Sequence, residues 1–358
     1  MSPQIMDTRP KEKTYSGYIR FKKTFLALLL IAVGATAVAA IASGSSGLTV
    51  SQVIRTFLGQ GTVQTNAIVF SIRIPRVATA IVAGVGLAVT GCVMQSILRN
   101  PLASSSTLGI SQGAAFGAAF AIIVLGAGLQ SQTLDGVSIT NPYAVSLCAF
   151  AGSMLSTLVV LGLSRFKSIT PEAMVLSGVA LSALFSGGTT LLQYFAEDVK
   201  VAAVVFWTFG NLGNTSWREI LIMTAVVAGS LVYFLCNRWN YNALQNGDAT
   251  AKGLGVNVER LRITGMVTCS LTASVIVSYI GIINFIGLIA PHLMRRVVGN
   301  DYRFLLPASA LAGAMLLLLS DTVARLLVRP IILPIGAITS FLGAPLFLYL
   351  IYKGGSQK

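Results

Sequence analysis

The sequence is short of charge, and of acidic charge above all. Only 10% of its 358 residues are charged, and 11 of these are Asp or Glu, whereas soluble domains carry about 25% charged residues. Histidine occurs once, as His292, which excludes a multi-histidine metal centre and a histidine proton relay. We therefore expect a structural role for His292.

Cysteine is also scarce, and its pattern indicates neither disulfides nor a metal site. Cys92, Cys148, Cys236 and Cys269 lie in or beside apolar runs. They lack the paired spacing that both kinds of site require. We expect this chain to bind no metal and no cofactor of its own.

The sequence lacks the motif G-x-x-x-x-G-K-[ST], whose backbone amides cradle nucleotide phosphates. The chain is therefore not expected to be an enzyme that hydrolyses ATP. Carboxylates are nearly absent from the apolar runs, with Glu172 and Asp321 only at their ends. Ion-coupled carriers use ionisable groups near the membrane midplane, and hydrolases need a nucleophile beside a base, so both classes are disfavoured.

Apolar residues are the most abundant class in the sequence. They make up 54% of the chain, and the mean hydropathy is +0.79, which indicates an all-α polytopic membrane protein. Ten apolar stretches are long enough to be spans, namely 24–43, 77–97, 107–127, 142–163, 172–192, 217–237, 263–281, 283–298, 304–324 and 335–352. We predict one membrane domain over 24–352, with tails at 1–23 and 353–358. The first run is longer than the core of a signal peptide, which favours a retained span.

The basic residues predict the orientation of these spans. Most of the 25 fall in the tails and in alternate connections, and the other side keeps few: Arg55, Arg73, Arg76, Lys200, Arg218, Arg325 and Arg329. The positive-inside rule then places both termini in the cytoplasm. The net charge of +14 is thus explained by the membrane, with no nucleic acid as partner.

The longest polar break in the second half of the chain is 237–262. Gly253 and Gly255 divide it into two short helical pieces, which Asp248 and Asn257 can cap. An ordinary connection needs only a few residues, so this stretch is either a docking surface for a soluble partner or a solvated connection. On the opposite side we predict an amphipathic segment over 50–58 and a short helix with Trp207 within 193–216.

The arginines on the predicted outer side are out of place under the positive-inside rule. Arg73 and Arg76 flank Pro75, which can open the second span, and Arg325 follows Asp321 by one helical turn. These arginines either anchor helices at the membrane interface or bind carboxylates of an extracytoplasmic partner.

Two spans are unusually polar and are candidates for a translocation pathway. Small residues also let helices approach closely, so packing is the alternative reading for the glycines. The candidate pathway residues are Ser177, Ser182, Ser186, Gln193, Thr339 and Ser340.

Four long motifs carry a family resemblance. They are RIPRVATAIVAGVGLAVTGCVMQSILRNPLASSSTLGISQGAA, GDATAKGLGV, INFIGLIAPHLMRRVVGNDYRFLLPASALAGAMLLLLSDTVAR and LPIGAITSFLGAP. Over residues 73–354 the sequence resembles the FecCD family of ABC importer permeases, which carry iron-siderophores, haem or cobalamin. The resemblance implies a type II importer in the cell membrane, with two ten-helix permeases (a homodimer, or a heterodimer as the alternative), a dimer of ATPase subunits that uses ATP-Mg, and a binding protein.

The resemblance also implies roles for particular residues. Arg73, Arg76 and Arg325, supported by Asp321, would receive glutamates of the binding protein, and the fifth and tenth helices would line the path. The segment that couples to the ATPase would be Asp248, Ala249, Thr250, Ala251, Lys252, Gly253, Leu254 and Gly255. The expected function is import of an iron-siderophore; a haem or cobalamin importer, an ATPase-independent channel or carrier, and an assembly subunit are the alternatives.

Overall fold

The computed structural model describes residues 15–44, 48–127, 141–166, 170–328 and 330–355. Helices are the only regular secondary structure in these ranges. Most of the predicted N-terminal tail, and the basic residues Lys167, Arg329 and Lys358 used for the orientation, lie outside the described residues.

Fifteen α-helices form the described part of the chain. In order they are α1 (Tyr15–Ala42), α2 (Val50–Phe57), α3 (Val63–Asn66), α4 (Ile74–Ile97), α5 (Ile110–Ile123), α6 (Pro142–Phe166), α7 (Pro171–Tyr194), α8 (Asp198–Thr208), α9 (Trp217–Cys236), α10 (Arg238–Gln245), α11 (Asp248–Gly253), α12 (Val258–Ile280), α13 (Ile286–Val298), α14 (Tyr302–Leu326) and α15 (Ile335–Gly355). A π-helical stretch, Ala67–Arg73, joins α3 to α4, and a 3₁₀ turn, Ser105–Leu108, precedes α5.

Seven helical stretches are long and apolar enough to cross a bilayer by length and composition. They are Tyr15–Ala42, Val63–Ile97, Pro142–Leu163, Pro171–Tyr194, Trp217–Cys236, Val258–Ile280 and Tyr302–Leu326. The shorter helices α5, α13 and α15 occupy the other three predicted spans. The all-helical, multi-span architecture is confirmed.

Helix α4 lies at the centre of the bundle. It packs against α9, α12, α13 and α14, and 78% of the residues in its most apolar stretch are buried, against 11% in α1 and in α7. The bundle therefore forms around α4, whereas α1 and α7 present most of their apolar side chains outward. The Arg76 end of the bundle is the end where α4 begins, and the Asp248 end, where α4 finishes, carries α11.

Glycine lets α4 and α13 touch backbone to backbone. A β-carbon added at Gly91 would overlap the backbone of Gly287. Close approach of this kind replaces the hydrophobic driving force that is missing between helices in lipid. At this crossing, packing is the role of the glycines.

The start of the second span differs from the prediction. Pro75 lies in the first turn of α4, as expected, but helical structure already precedes it and runs from Val63 through to Ile97. Proline has no N–H to donate to the preceding turn. The π-helical turn just before Pro75 is wider, so the helix continues without that hydrogen bond. Arg73 and Arg76 therefore project from within a helix.

The first helix also differs, since α1 is already helical at Tyr15 within the predicted polar tail. Lys22 is buried, with its ammonium 4.1 Å from the ring centre of Tyr18 and 5.0 Å from that of Phe304. Such cation–π contacts let a basic residue lie on a packed helix face. The predicted amphipathic segment and the short helix with Trp207 are confirmed as α2 and α8.

We predict that Gly91→Ala destabilises the protein by roughly 1–3 kcal/mol, because the added methyl group forces α4 and α13 apart. The matched control is Gly34→Ala on α1, where an added β-carbon meets nothing within 4 Å. Thermal unfolding in detergent, followed by size-exclusion chromatography, measures both. Equal midpoints for the two variants would contradict the close packing of α4 on α13.

Candidate functional site

At the Arg76 end, two of the three arginines bind one buried carboxylate. Asp321 is 1% exposed and accepts from Arg76 Nε and Arg325 Nε, each at 2.8 Å. The predicted pairing of Asp321 with Arg325 is confirmed. The bond from Arg76, on α4, was not predicted, because residues 245 positions apart leave no local pattern.

The other donors of this arginine cluster (Arg73, Arg76, Asp321 and Arg325) bind the last turn of α1. Arg73 Nη1 donates to Ile41 O at 2.8 Å and to Ala42 O at 3.0 Å. Arg325 Nη1 donates to Ser43 O at 2.6 Å and Nη2 to Ala40 O at 3.1 Å. The last carbonyls of a helix lack partners within it, so the two cations cap α1 and complement its dipole.

The cluster is therefore mostly buried, and Arg76 is its member next to a cavity. Arg73, Arg76 and Arg325 are 4%, 7% and 5% exposed. Arg76 alone of the three lines a cavity of about 1060 Å³ at this end, together with Asn211, Gly213 and Asn214. Arg76 is thus the arginine of the cluster that borders this cavity, which Glu219 also lines. The predicted docking role of the three arginines stays a prediction.

At the Asp248 end, the polar connection folds into α10 and α11, and its division differs from the prediction. The break lies at Asn246 and Gly247, and the segment after Gly255 is the first turn of α12 instead of a separate helix. Gly247, with φ +111°, supplies the turn that an L-residue resists. Asn257 does cap its helix, accepting from Arg260 N at 2.9 Å.

Asp248 was predicted as a cap, and this is wrong. It is the first residue of α11, and its carboxylate pairs with Arg99 at 2.7 Å and with Arg262 at 3.2 Å. Arg262 Nε also donates to Ile97 O at 3.3 Å. Asp248 therefore ties α11 to the end of α4 and to the start of α12, because two guanidinium groups outcompete one backbone amide.

Helix α10 is held in a similar way on α14. Asn242 Nδ2 donates to Asp301 Oδ1 at 3.1 Å, and Tyr302 N donates to Asn242 Oδ1 at 2.8 Å. Burial works against ionisation of Asp301, but hydrogen bonds from Arg303 and Asn242 outweigh it and lower the pKa of this carboxyl. The whole connection is thus a fixed surface.

The remaining residues of the predicted coupling segment differ in burial. Ala251 is fully buried. The others face solvent: Ala249, Thr250, Lys252, Gly253, Leu254 and Gly255. Leu254 is 69% exposed, and a large apolar side chain that is left so open on a rigid polar surface is typical of a partner contact.

The predicted pathway residues are not brought together within one chain. Ser177, Ser182, Ser186 and Gln193 lie on α7, which packs on α5 and α6, whereas α15 packs on α13 and α14. The hydroxyl groups of Ser177 and Ser182 bond carbonyls of their own helix, each at 2.8 Å.

On α15, Thr339 is 2% exposed and donates to Gly336 O at 3.1 Å; Ser340 donates to the same oxygen at 2.7 Å. Their pathway role stays a prediction. His292 packs edge-on against Phe347, with 6.2 Å between ring centres.

Helices α4 and α12 connect the two charged sites. Helix α4 begins beside Arg73 and finishes beside Arg99, and 24 helical residues span about 36 Å. The arginine cluster and Lys252 therefore lie at opposite ends of the bundle. No group of three potential metal ligands occurs among the described residues, and the geometry offers binding surfaces at both ends.

We predict that Asp321→Asn destabilises the protein by roughly 3–5 kcal/mol, because it leaves two buried guanidinium groups without their shared counter-charge. Asp198→Asn on α8, at an exposed position, is the matched control. Thermal unfolding in detergent measures the difference. Comparable midpoints would show that Asp321 does not hold the cluster together.

Comparison with known proteins agrees with this arrangement. An ABC transporter permease protein of Methanocaldococcus jannaschii, MJ0087, is 51% identical over 339 residues, covering 95% of this chain and 97% of that protein. The hemin transport permease HmuU of Yersinia pestis is 37% identical and covers 80% and 84%. The Fe(3+)-citrate import permease YfmE of Bacillus subtilis is 36% identical and covers 92% and 96%.

One solved structure is similar throughout. It is described as an inward-facing metal-chelate type ABC transporter, and it matches with a TM-score of 0.81 and 32% identity, covering 92% of this chain and 99% of that chain. The model of the FecCD transport family matches residues 26–353. The chain therefore belongs to the FecCD transport family and is a permease subunit of an ABC importer.

Proposed function

We propose that this chain is the membrane subunit through which a metal chelate, such as an iron-siderophore, passes into the cell, driven by a separate ATPase. The observation that carries the proposal is the pair of charged sites joined by α4 and α12. One is a docking surface around Arg76, and the other is the exposed face of α11. Family membership supplies the reaction class, and the geometry supplies the two places where partners act.

The Asp248 end is assigned to the ATPase and faces the cytoplasm. The exposed Lys252 lies on α11, and the exposed Leu254 follows directly after this helix, which Asp248 fixes to α4 and α12. A partner that moves α11 therefore moves both helices with it, because packed helices shift as rigid bodies. ATP-Mg is bound by the partner, and both termini of this chain lie on the same side as α11.

The Arg76 end is assigned to a binding protein that delivers the chelate. Its carboxylates bind guanidinium groups, and Arg76 is reached through the cavity. Arg73 and Arg325 would also bind the partner's carboxylates, after they give up their hydrogen bonds to carbonyl groups at the end of α1. Arg325 also acts through the Asp321 carboxylate that it shares with Arg76.

A second copy of the permease completes the pathway. Since α7 and α15 do not pack together in one chain, a path lined by both needs the α7 of one copy to approach the α15 of the other. The outward apolar side chains fit such a contact: Leu184 is 68% exposed and Phe341 is 79% exposed. We propose a homodimer.

The names of the relatives support a metal chelate as the substrate. Hemin, ferric citrate and vitamin B12, which are named for three of them, share a metal ion held by an organic ligand. An ion-coupled carrier is the rival. Against it stands the scarcity of buried carboxylates, since among the described residues the buried acid is Asp321, which two arginines already neutralise.

The deciding experiment is uptake into proteoliposomes. We expect the chain, reconstituted with its ATPase and binding protein, to take up ferric citrate, haem or cyanocobalamin only when ATP is supplied. Leu254→Asp should reduce ATPase association and uptake about tenfold, because it places a charge in the proposed contact. The control is Val297→Asp, at an exposed apolar position near the end of α13. Uptake by the chain alone, without the ATPase, would instead indicate a channel or carrier.

Docking at Arg76 has its own test. Arg76→Lys keeps the positive charge beside Asp321 but loses the planar fork that binds a carboxylate through two hydrogen bonds. We expect the Kd of the binding protein to rise about tenfold, a loss of one such charge-assisted contact, with assembly of the ATPase unchanged. Arg218→Lys, an exposed arginine on α9, is the matched control. An unchanged Kd for Arg76→Lys would reject the docking role.

A further inference from the structure

The connection between α12 and α13, residues 281–285, is not helical although it lies deep in the membrane. The 24 residues of the central helix α4 span about 36 Å, close to the hydrocarbon thickness of about 30 Å. Ile276, one turn before the end of α12, lies against Gly86, and Gly287, in the first turn of α13, lies against Leu87. Both contacts are near the midpoint of α4, so the connection between them is near the middle of the bilayer.

The backbone of this connection lacks hydrogen-bond partners. Four consecutive amide groups donate to no group among the described residues, namely those of Ile282, Ile283, Asn284 and Phe285. An amide without a partner is costly in lipid, and non-helical backbone at this depth persists where it is buried in protein or lines a water-filled space. Since the described protein groups supply no partner, we infer that water does.

The cavity at the Arg76 end reaches the start of the connection. Ile280 and Gly281 line it, together with Phe209 and Pro334. Its volume of about 1060 Å³ is many times the volume of about 30 Å³ that one water molecule occupies in the liquid. Solvent from the Arg76 end therefore has a route to the point at which the unpaired amides begin.

The connection also runs along α15, one of the two helices predicted to line the pathway. A β-carbon added at Gly336 would lie 2.9 Å from Ile282 O, and one added at Gly343 would lie 2.5 Å from Phe285 Cβ. Ser340, a predicted pathway residue, lies between these two contacts on α15. The unpaired amides and the polar stretch of α15 are therefore side by side.

We propose that residues 281–285 form part of the wall of the translocation pathway at mid-membrane. Asn284, whose side chain is half-buried, and the unpaired amides donate hydrogen bonds there to water and to oxygen atoms of the passing chelate. Carboxylate and carbonyl oxygens accept such bonds, so the ligands expected here are chelates that present these groups on their surface. This inference rests on the proposed function, because import of a chelate is what requires the pathway.

The first test measures access of water to the connection. Asn284→Cys is made with Cys148 and Cys236 replaced by serine, and the chain is assembled with its ATPase in proteoliposomes. A membrane-impermeant thiol reagent is supplied on both sides, with and without ATP. The matched control is Ile31→Cys, which is near the midpoint of α1 and 67% exposed on the outward face of that helix.

We expect Asn284→Cys to react at least about tenfold faster than Ile31→Cys in one of the two nucleotide states, because a thiol ionises readily in water and poorly in apolar surroundings. Labelling of Asn284→Cys that is no faster than that of Ile31→Cys in either state, in a complex that hydrolyses ATP, would overturn the proposal.

The second test measures contact with the chelate. Asn284→Leu removes the side-chain donors, and we expect it to lower uptake about tenfold, the loss of one hydrogen bond, with ATPase association retained. Asn284→Ser keeps a donor at the same position and should retain most of the uptake. Equal uptake by the two variants would overturn the role of Asn284.

Failure of this inference and failure of the proposed function are distinguishable. If the wild-type complex takes up none of the three chelates, the proposed function fails. The labelling rate of Asn284→Cys still decides whether the connection lines a water-filled space.

Discussion

The structure depends on one constraint: a charge inside a bilayer must have its counter-charge supplied by the protein. At one end of the bundle the buried Asp321 serves two arginines in this way. At the other end Asp248 also pairs with two arginines, but it does so on the partly exposed polar surface outside the spans. Each carboxylate joins helices that are distant in sequence, so the ion pairs set how the bundle is assembled. What remains exposed at each end is a surface that a partner can reach.

The two ends are joined by helices that differ in character. Helix α4 is buried on nearly all sides and makes close glycine contacts with its neighbours, which suits a fixed axis. Helix α12 ends in backbone contacts with α8 and α15 beside an open cavity.

Much of this was predictable from sequence for physical reasons. Apolar runs of about 20 residues must be helices in lipid, and the spacing of Asp321 and Arg325 is one helical turn. Pairings across the bundle were not predictable, such as Arg76 with Asp321 or Asp248 with Arg99. Two further features were not predicted: the π-helical turn before Pro75, and the close backbone contact of Gly281 with Trp207. Both depend on contacts between segments far apart in the chain.

If the proposed function holds, events at the Asp248 end change the Arg76 end across the membrane. The most direct measurement is the reactivity of Asn214→Cys, at the cavity, toward a membrane-impermeant thiol reagent in the reconstituted complex with Cys236 replaced. Asn214 is exposed and lines the cavity. We expect ATP, added only on the side of α11, to change the labelling rate at Asn214→Cys. A labelling rate that is the same with and without ATP, in a complex that hydrolyses ATP, would show that the two ends of the bundle are not coupled.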